Sequence, residues 1–140
     1  MNPLKPVSEL MSNELITVHT TTPIDEARAL FAEHGIHHLI VVSPDNHIEG
    51  ILSERDLLRI LDVDQESRQK MVVSDLMTKG LAKLERTDHV RTAANVFSLN
   101  KFHALPVVEN DKPVGILTTH DLIKLLDSET VELKDYSDMG

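Results

Sequence analysis

Two windows of the chain place apolar residues three and four positions apart: Ile24, Ala27, Leu30 and Phe31, then Val90, Ala93, Val96 and Phe97. That spacing lines one face of an α-helix. Each window leads into a run of mostly apolar residues that ends in Val-Val, 37–42 and 103–108. A polar turn follows, then a second short apolar run, 48–52 and 114–117. Runs of this length, bounded by Asn, Asp and Pro, predict strands joined by tight turns. Short extended pieces at 16–18 and 82–84 precede the helices, and further helices are predicted over 54–61 and 119–126. Thr22 and Pro23 predict an N-cap followed by proline at the first helical position, and Asp88 predicts the second cap. Gly35 predicts the end of the first helix, and Asn100 with Lys101 the end of the second.

The order β-α-β-β-α therefore occurs twice, and the residues repeat with it. Val7-Ser8-Glu9-Leu10-Met11 returns as Val73-Ser74-Asp75-Leu76-Met77. Gly50-Ile51-Leu52-Ser53-Glu54-Arg55-Asp56-Leu57 returns as Gly115-Ile116-Leu117-Thr118-Thr119-His120-Asp121-Leu122. Between these anchors Ala27, Phe31, His37, Leu39, Val41 and Val42 match Ala93, Phe97, His103, Leu105, Val107 and Val108. The offset is 66 early and 65 late, which places a one-residue deletion in the turn near Asp111. The chain divides into a first repeat (7–61), a linker (62–72), a second repeat (73–126) and an acidic tail (127–140).

A net charge of −9 argues against nucleic acid or an anionic membrane as partner, because polyphosphate binding needs clustered Lys and Arg. With no cysteine there is no disulfide framework and no thiolate site. The N-terminus has no apolar stretch of signal-peptide length, so the expectation is a cytoplasmic protein. Aromatics are 3% of the chain, so the core must be built from aliphatic side chains. Neither half is large enough to bury a core alone, which predicts that the halves share one.

The duplicated order, with V-S-x-L-M near the start of each copy and G-I-L-[ST]-x-x-D-L near its end, resembles the CBS-domain family. The resemblance spans residues 7–126. It implies an α/β (α+β) fold in which two tandem repeats pack about a pseudo-twofold axis. It also implies a regulatory, non-catalytic sensor binding an adenosine-containing nucleotide (AMP, ADP or ATP, or S-adenosylmethionine) in clefts between the repeats. A homodimer and a separate effector protein are implied as partners. In the family the motif Asp accepts hydrogen bonds from the ribose hydroxyls, and the hydroxyl residue three positions earlier approaches the phosphate. Carried over, a first site would combine Thr118, His120 and Asp121 with Ile16, Thr17, Ile36, His37 and His38. A second would combine Ser53, Arg55 and Asp56 with Ala82, Lys83, Phe102, His103 and Ala104. Arg55 keeps its charge at any physiological pH, whereas the first site depends on imidazoles.

The same S/T-x-x-D pattern is also that of a helix N-cap, which a ligand-free structural or interaction module with this fold would keep. Eight histidines invite thought of a metal, but adjacent strand residues point to opposite faces, so His37 and His38 are not expected in one pocket. No HExxH pair, P-loop or nucleophile signature supports a metal site or an enzyme. Met11 and Met77 are expected to pack rather than to touch a ligand.

Overall fold

The computed structural model describes residues 2–80, 82–100 and 102–127. The predicted tail, from residue 128 onward, lies outside the described residues. Each repeat forms a three-stranded sheet. In the first, β1 (Thr17–Val18) runs parallel to β2 (His38–Val42), which is antiparallel to β3 (Ile48–Ser53). Helix α1 (Ile24–His34) connects β1 to β2, and a 3₁₀ helix (Glu54–Ile60) follows β3. The predicted linker carries a short helix, α2 (Gln65–Arg68). The second repeat repeats the topology with β4 (Leu84–Glu85), α3 (Val90–Leu99), β5 (Ala104–Glu109), β6 (Lys112–Thr118) and α4 (Thr119–Asp127).

The two copies agree in detail. Both hairpins shift register at the same place, between Val41 and Val42 and between Val107 and Val108. Five residues (43–47) lie between the paired Val42 and Ile48, but four (109–112) between Val108 and Pro113, so the deletion falls in the hairpin as expected. Asn110 and Asp111 both adopt left-handed backbone, φ 54 and 62, the conformation of a two-residue hairpin turn whose twist matches the strands. Gly35 ends α1 with φ 61, where a Cβ would be strained.

Four expectations are corrected. Neither helix is capped by its own side chain: Thr22 Oγ1 accepts the N–H of His19, and Asp88 accepts that of Glu85. The N–H groups of Ile24 and Val90 instead donate to the carbonyls of Met71 and Lys5, at 3.0 and 2.8 Å. The donors left over at a helix start can be satisfied by any acceptor, here remote backbone. The third difference is the 54–61 helix, which is 3₁₀ and not α. Its buried residues, Leu57 and Ile60, stand three apart, the period of that helix. Finally, β4 starts at Leu84. In the first copy the N–H of Ile40 donates to the carbonyl of Ile16, whereas Pro106, its counterpart, has no N–H to give Ala82.

Those remote carbonyls reveal how the repeats hold together. The segment entering each repeat is built into the other. Val7 donates to Asp88 at 2.8 Å, and Ser12 exchanges two hydrogen bonds with Ile116 at the edge of the second sheet. Reciprocally, Val73 donates to Thr22 at 2.8 Å, and Thr78 exchanges two with Ile51. Accordingly Val73 and Leu76 belong to the first repeat's core, with Ile24, Phe31 and Leu52, whereas Val7 belongs to the second's, with Leu84, Phe97 and Leu117. A third cluster, Ile40, Val42, Ile51 and Ala104, mixes both repeats. The methionines lie at the crossings: a Cβ on Gly115 would sit 2.3 Å from Met11 Sδ, and one on Gly50 would sit 2.5 Å from the Thr78 carbonyl and 3.2 Å from Met77 Sδ.

Gly50→Ala and Gly115→Ala should each cost about 1–3 kcal/mol by overpacking. Adding Met11→Ala should recover part of the Gly115→Ala loss, because side-chain atoms cause that clash. Met77→Ala should recover less of the Gly50→Ala loss, since a backbone carbonyl is nearest. Urea unfolding of the two double-mutant cycles measures this, and equal coupling in both would contradict it.

Candidate functional site

The two S/T-x-x-D turns occupy corresponding strand-to-helix junctions. Ser53 ends β3, and its N–H donates to Asp56 Oδ2 at 2.8 Å while its Oγ accepts the Asp56 N–H at 3.1 Å. Thr118 ends β6 and makes the same two bonds with Asp121, at 2.8 and 3.2 Å. The N–H of the next residue, Glu54 or Thr119, donates to the carbonyl of His37 or His103. This bond ties each turn to the residue that precedes the middle strand of its own sheet. The cap geometry is therefore complete in both copies, and it uses Oδ2 of each aspartate. Among the described residues, Asp56 Oδ1 lies 3.9 Å from Arg59 Nη2, and the hydrogen bonds to the Asp121 carboxylate go to its Oδ2. One carboxylate oxygen per turn remains to accept further donors.

The turns differ in the hydroxyl. Thr118 Oγ1 also donates to Asp121, at 3.1 Å, whereas among the described residues Ser53 Oγ only accepts. The serine hydroxyl proton is thus available, and the threonine's is committed.

Clefts open where the repeats face each other. One of 210 Å³ is lined by Ser53, Arg55 and Asp56 from the first repeat and by Phe102, His103 and Ala104 from the second. One of 480 Å³ is lined by Thr118 and His120 together with Ile36, His37 and His38. A third opening, of 490 Å³, lies between Ser53, Glu54, Arg55, Leu58, His37, His38 and His103. Of the residues named from sequence, five do not line these clefts. Ile16 and Ala82 pack against the two cores, and Thr17 lies in β1. Lys83 pairs with Asp111 at 2.6 Å, and Asp121 serves its cap.

His37 and His38 do line the same clefts, contrary to the alternation argument. His37 precedes the first residue of β2, so strand alternation does not govern it. Its Nδ1 lies 2.8 Å from Glu54. Sequence reasoning missed Ser12, Glu14, Ile116 and Thr119 in the larger cleft, Ile51 and Thr78 in the smaller, and Glu54 and Leu58 in the third opening; of these, Ser12, Glu14 and Thr78 come from the crossing segments. The duplicated V-S-x-L-M motif was the available signal, since the residues following it enter both clefts. Among the described residues no three His, Asp or Glu side chains are placed to hold a metal ion. No helix there is long and apolar enough to cross a membrane.

Burial holds His38 below the ordinary imidazole pKa. The neighbouring His37 adds to this, Asp56 opposes it, and His103 contributes in the same sense as His37.

A family model described as CBS domain matches the chain twice, over residues 7–63 and 73–128. An uncharacterized protein of Methanocaldococcus jannaschii is 32% identical over 126 residues, 89% of this chain and 44% of that protein. A homoserine O-acetyltransferase of Methanocorpusculum labreanum is 32% identical over 117 residues, 83% of this chain and 23% of the enzyme. The chain thus spans less than half the length of these relatives. Among solved structures, a CBS domain pair in complex with 5′-methylthioadenosine and S-adenosyl-L-methionine superposes with a TM-score of 0.80 at 26% identity, covering 91% of this chain and all of that one. CBSX2 in complex with AMP superposes with a TM-score of 0.78 at 28% identity, covering 91% of this chain and 99% of that one.

His38 gives a stability prediction. With its folded pKa lowered, the unfolded chain takes up the proton first as pH falls through the ordinary value of 6.5, so folding loses stability there and keeps it above. His38→Ala should flatten the fall in melting temperature between pH 7.5 and pH 5.5. Equal slopes for wild type and variant would refute this role.

Proposed function

The chain belongs to the CBS-domain family, as a tandem pair of repeats, and from that premise we propose that it is a non-catalytic regulatory module binding an adenosine-containing ligand in the inter-repeat clefts. The observation that carries the reading is the pair of Ser/Thr–Asp turns, each with one carboxylate oxygen not used in capping: Ser53, Asp56 and Thr118 line clefts built from both repeats, and Asp121 stands behind Thr118 in its turn. An ionised carboxylate suits the two donors of a ribose cis-diol, and a hydroxyl at a helix start suits a phosphate oxygen. The relatives in complex with AMP and with S-adenosyl-L-methionine support the ligand class.

In the smaller cleft Ser53 and Arg55 would meet phosphate, Asp56 the ribose, and Phe102 with Ala104 the base. In the larger one His120, His37 and His38 would meet the phosphate, joined by Thr118 once its hydroxyl turns away from Asp121, with Ile36 against the base. Because the caps are fully formed without a ligand, a structural module that binds nothing is the competing reading. Binding would act by shifting how the two repeats pack, and the output would pass to a partner. Exposed Leu58 on the 3₁₀ helix and Leu61 just after it, with Ile123 and Leu126 on α4, offer apolar surface suited to a homodimer.

A thermal-shift series with AMP, ADP, ATP, NAD and S-adenosylmethionine tests the ligand class. A ligand at a hundred times its Kd should add about 2.7 kcal/mol. Asp56→Ala and Asp121→Ala should each cost about 1 kcal/mol of stability through the cap and weaken nucleotide binding at their own cleft tenfold or more. If neither variant changes binding, or no adenosyl compound stabilises the protein, the competing reading stands. Leu61→Glu should lower the sedimentation mass from dimer to monomer.

A further inference from the structure

We propose that His37, His38 and His103 form one anion subsite at the meeting point of the clefts, which holds the phosphoryl oxygens of a ligand seated on either side. The inference rests on the nucleotide reading above and changes its form: two separate phosphate sets become one shared set. His38 and His103 line all three openings, and His37 lines two of them. The imidazoles therefore border all three openings and can be reached from either side.

The surrounding charges fit an anion. Arg55 stands on one side and His120 on the other. Of the acids nearby, Glu54 is engaged with His37, and Asp56 has one oxygen engaged by the Ser53 N–H. Glu14 lines only the larger cleft, and Asp121 is held in its cap. Burial lowers the proton affinity of His38, and the nearby His37 and His103 both add to that effect. A phosphoryl group placed among the three rings opposes this, because each protonated ring then donates to it. Two consequences follow. Anion binding takes up protons, and the subsite accommodates one phosphoryl group per chain, so phosphate in one cleft weakens phosphate in the other without affecting a neutral nucleoside there.

Inorganic pyrophosphate is the probe, followed by NMR of the histidine ring protons at pH 6.0 and 7.5. The expected result is that signals of His37, His38 and His103 move together on a single saturation curve. Affinity should be higher at pH 6.0 by about tenfold per linked proton. His38→Ala introduces the residue that the second repeat already carries at Ala104, and it should weaken pyrophosphate about tenfold at pH 6.0. Separate curves, one for His103 and one for His37 and His38, would overturn the proposal, as would equal affinity at the two pH values or no binding. Adenosine, titrated in parallel, reads the nucleoside half independently. If adenosine fails to bind while pyrophosphate behaves as described, the nucleoside assignment falls and the subsite stands. If AMP binds equally at both pH values while pyrophosphate moves no histidine, the subsite falls and the assignment stands.

Discussion

Each repeat receives the other's entry segment as part of its own body, and almost every other feature depends on that exchange. The carbonyls of Met71 and Lys5 satisfy the first N–H groups of α1 and α3, the role a side-chain cap would otherwise have. Thr78 and Ser12 pair with the third strands and require glycine beneath the adjoining methionines, at Gly50 and Gly115. The exchange also fixes where the clefts open. The polar residues after each methionine run along the rim, so a wall of each cleft comes from the segment that leads into the opposite repeat.

The repeated element order, the helix stop at Gly35 and the shortened second hairpin were legible because each rests on local chemistry: apolar period, a left-handed glycine, turn residues. The helix starts were misread for a physical reason. Thr22 and Asp88 look like caps, but an orphan N–H donates to whichever carbonyl arrives, and these came from residues 47 and 85 positions away along the chain. Likewise the pairing of Thr118 with Ile36, His37 and His38 needed the family resemblance, since no single-repeat pattern contains it. Ser12, Glu14 and Thr78 stayed hidden because they serve the fold across the repeat boundary. Lys83 was drawn off by Asp111, whose carboxylate it holds below the usual range together with His47.

The net charge of −9 does not by itself set the charge inside the proposed clefts. The acids near the centre are turned to local tasks: Asp56 and Asp121 to caps, Glu54 to His37. What faces the open space is imidazole and one guanidinium, with the Glu14 carboxylate added in the larger cleft. Local commitment of carboxylates matters more here than the global sum, because charge is screened within about 8–10 Å at ordinary salt.

The exchange of entry segments also bears on the order in which the protein can be made. During synthesis the first repeat's sheet emerges early, yet its core lacks Val73 and Leu76 until the chain has grown past them. The opening segment with Val7 meanwhile waits for strands that appear only near the end. Such pairings over long sequence separation are slow to close. Each core stays incomplete until the other repeat supplies its part, an arrangement that favours folding of the pair as one unit.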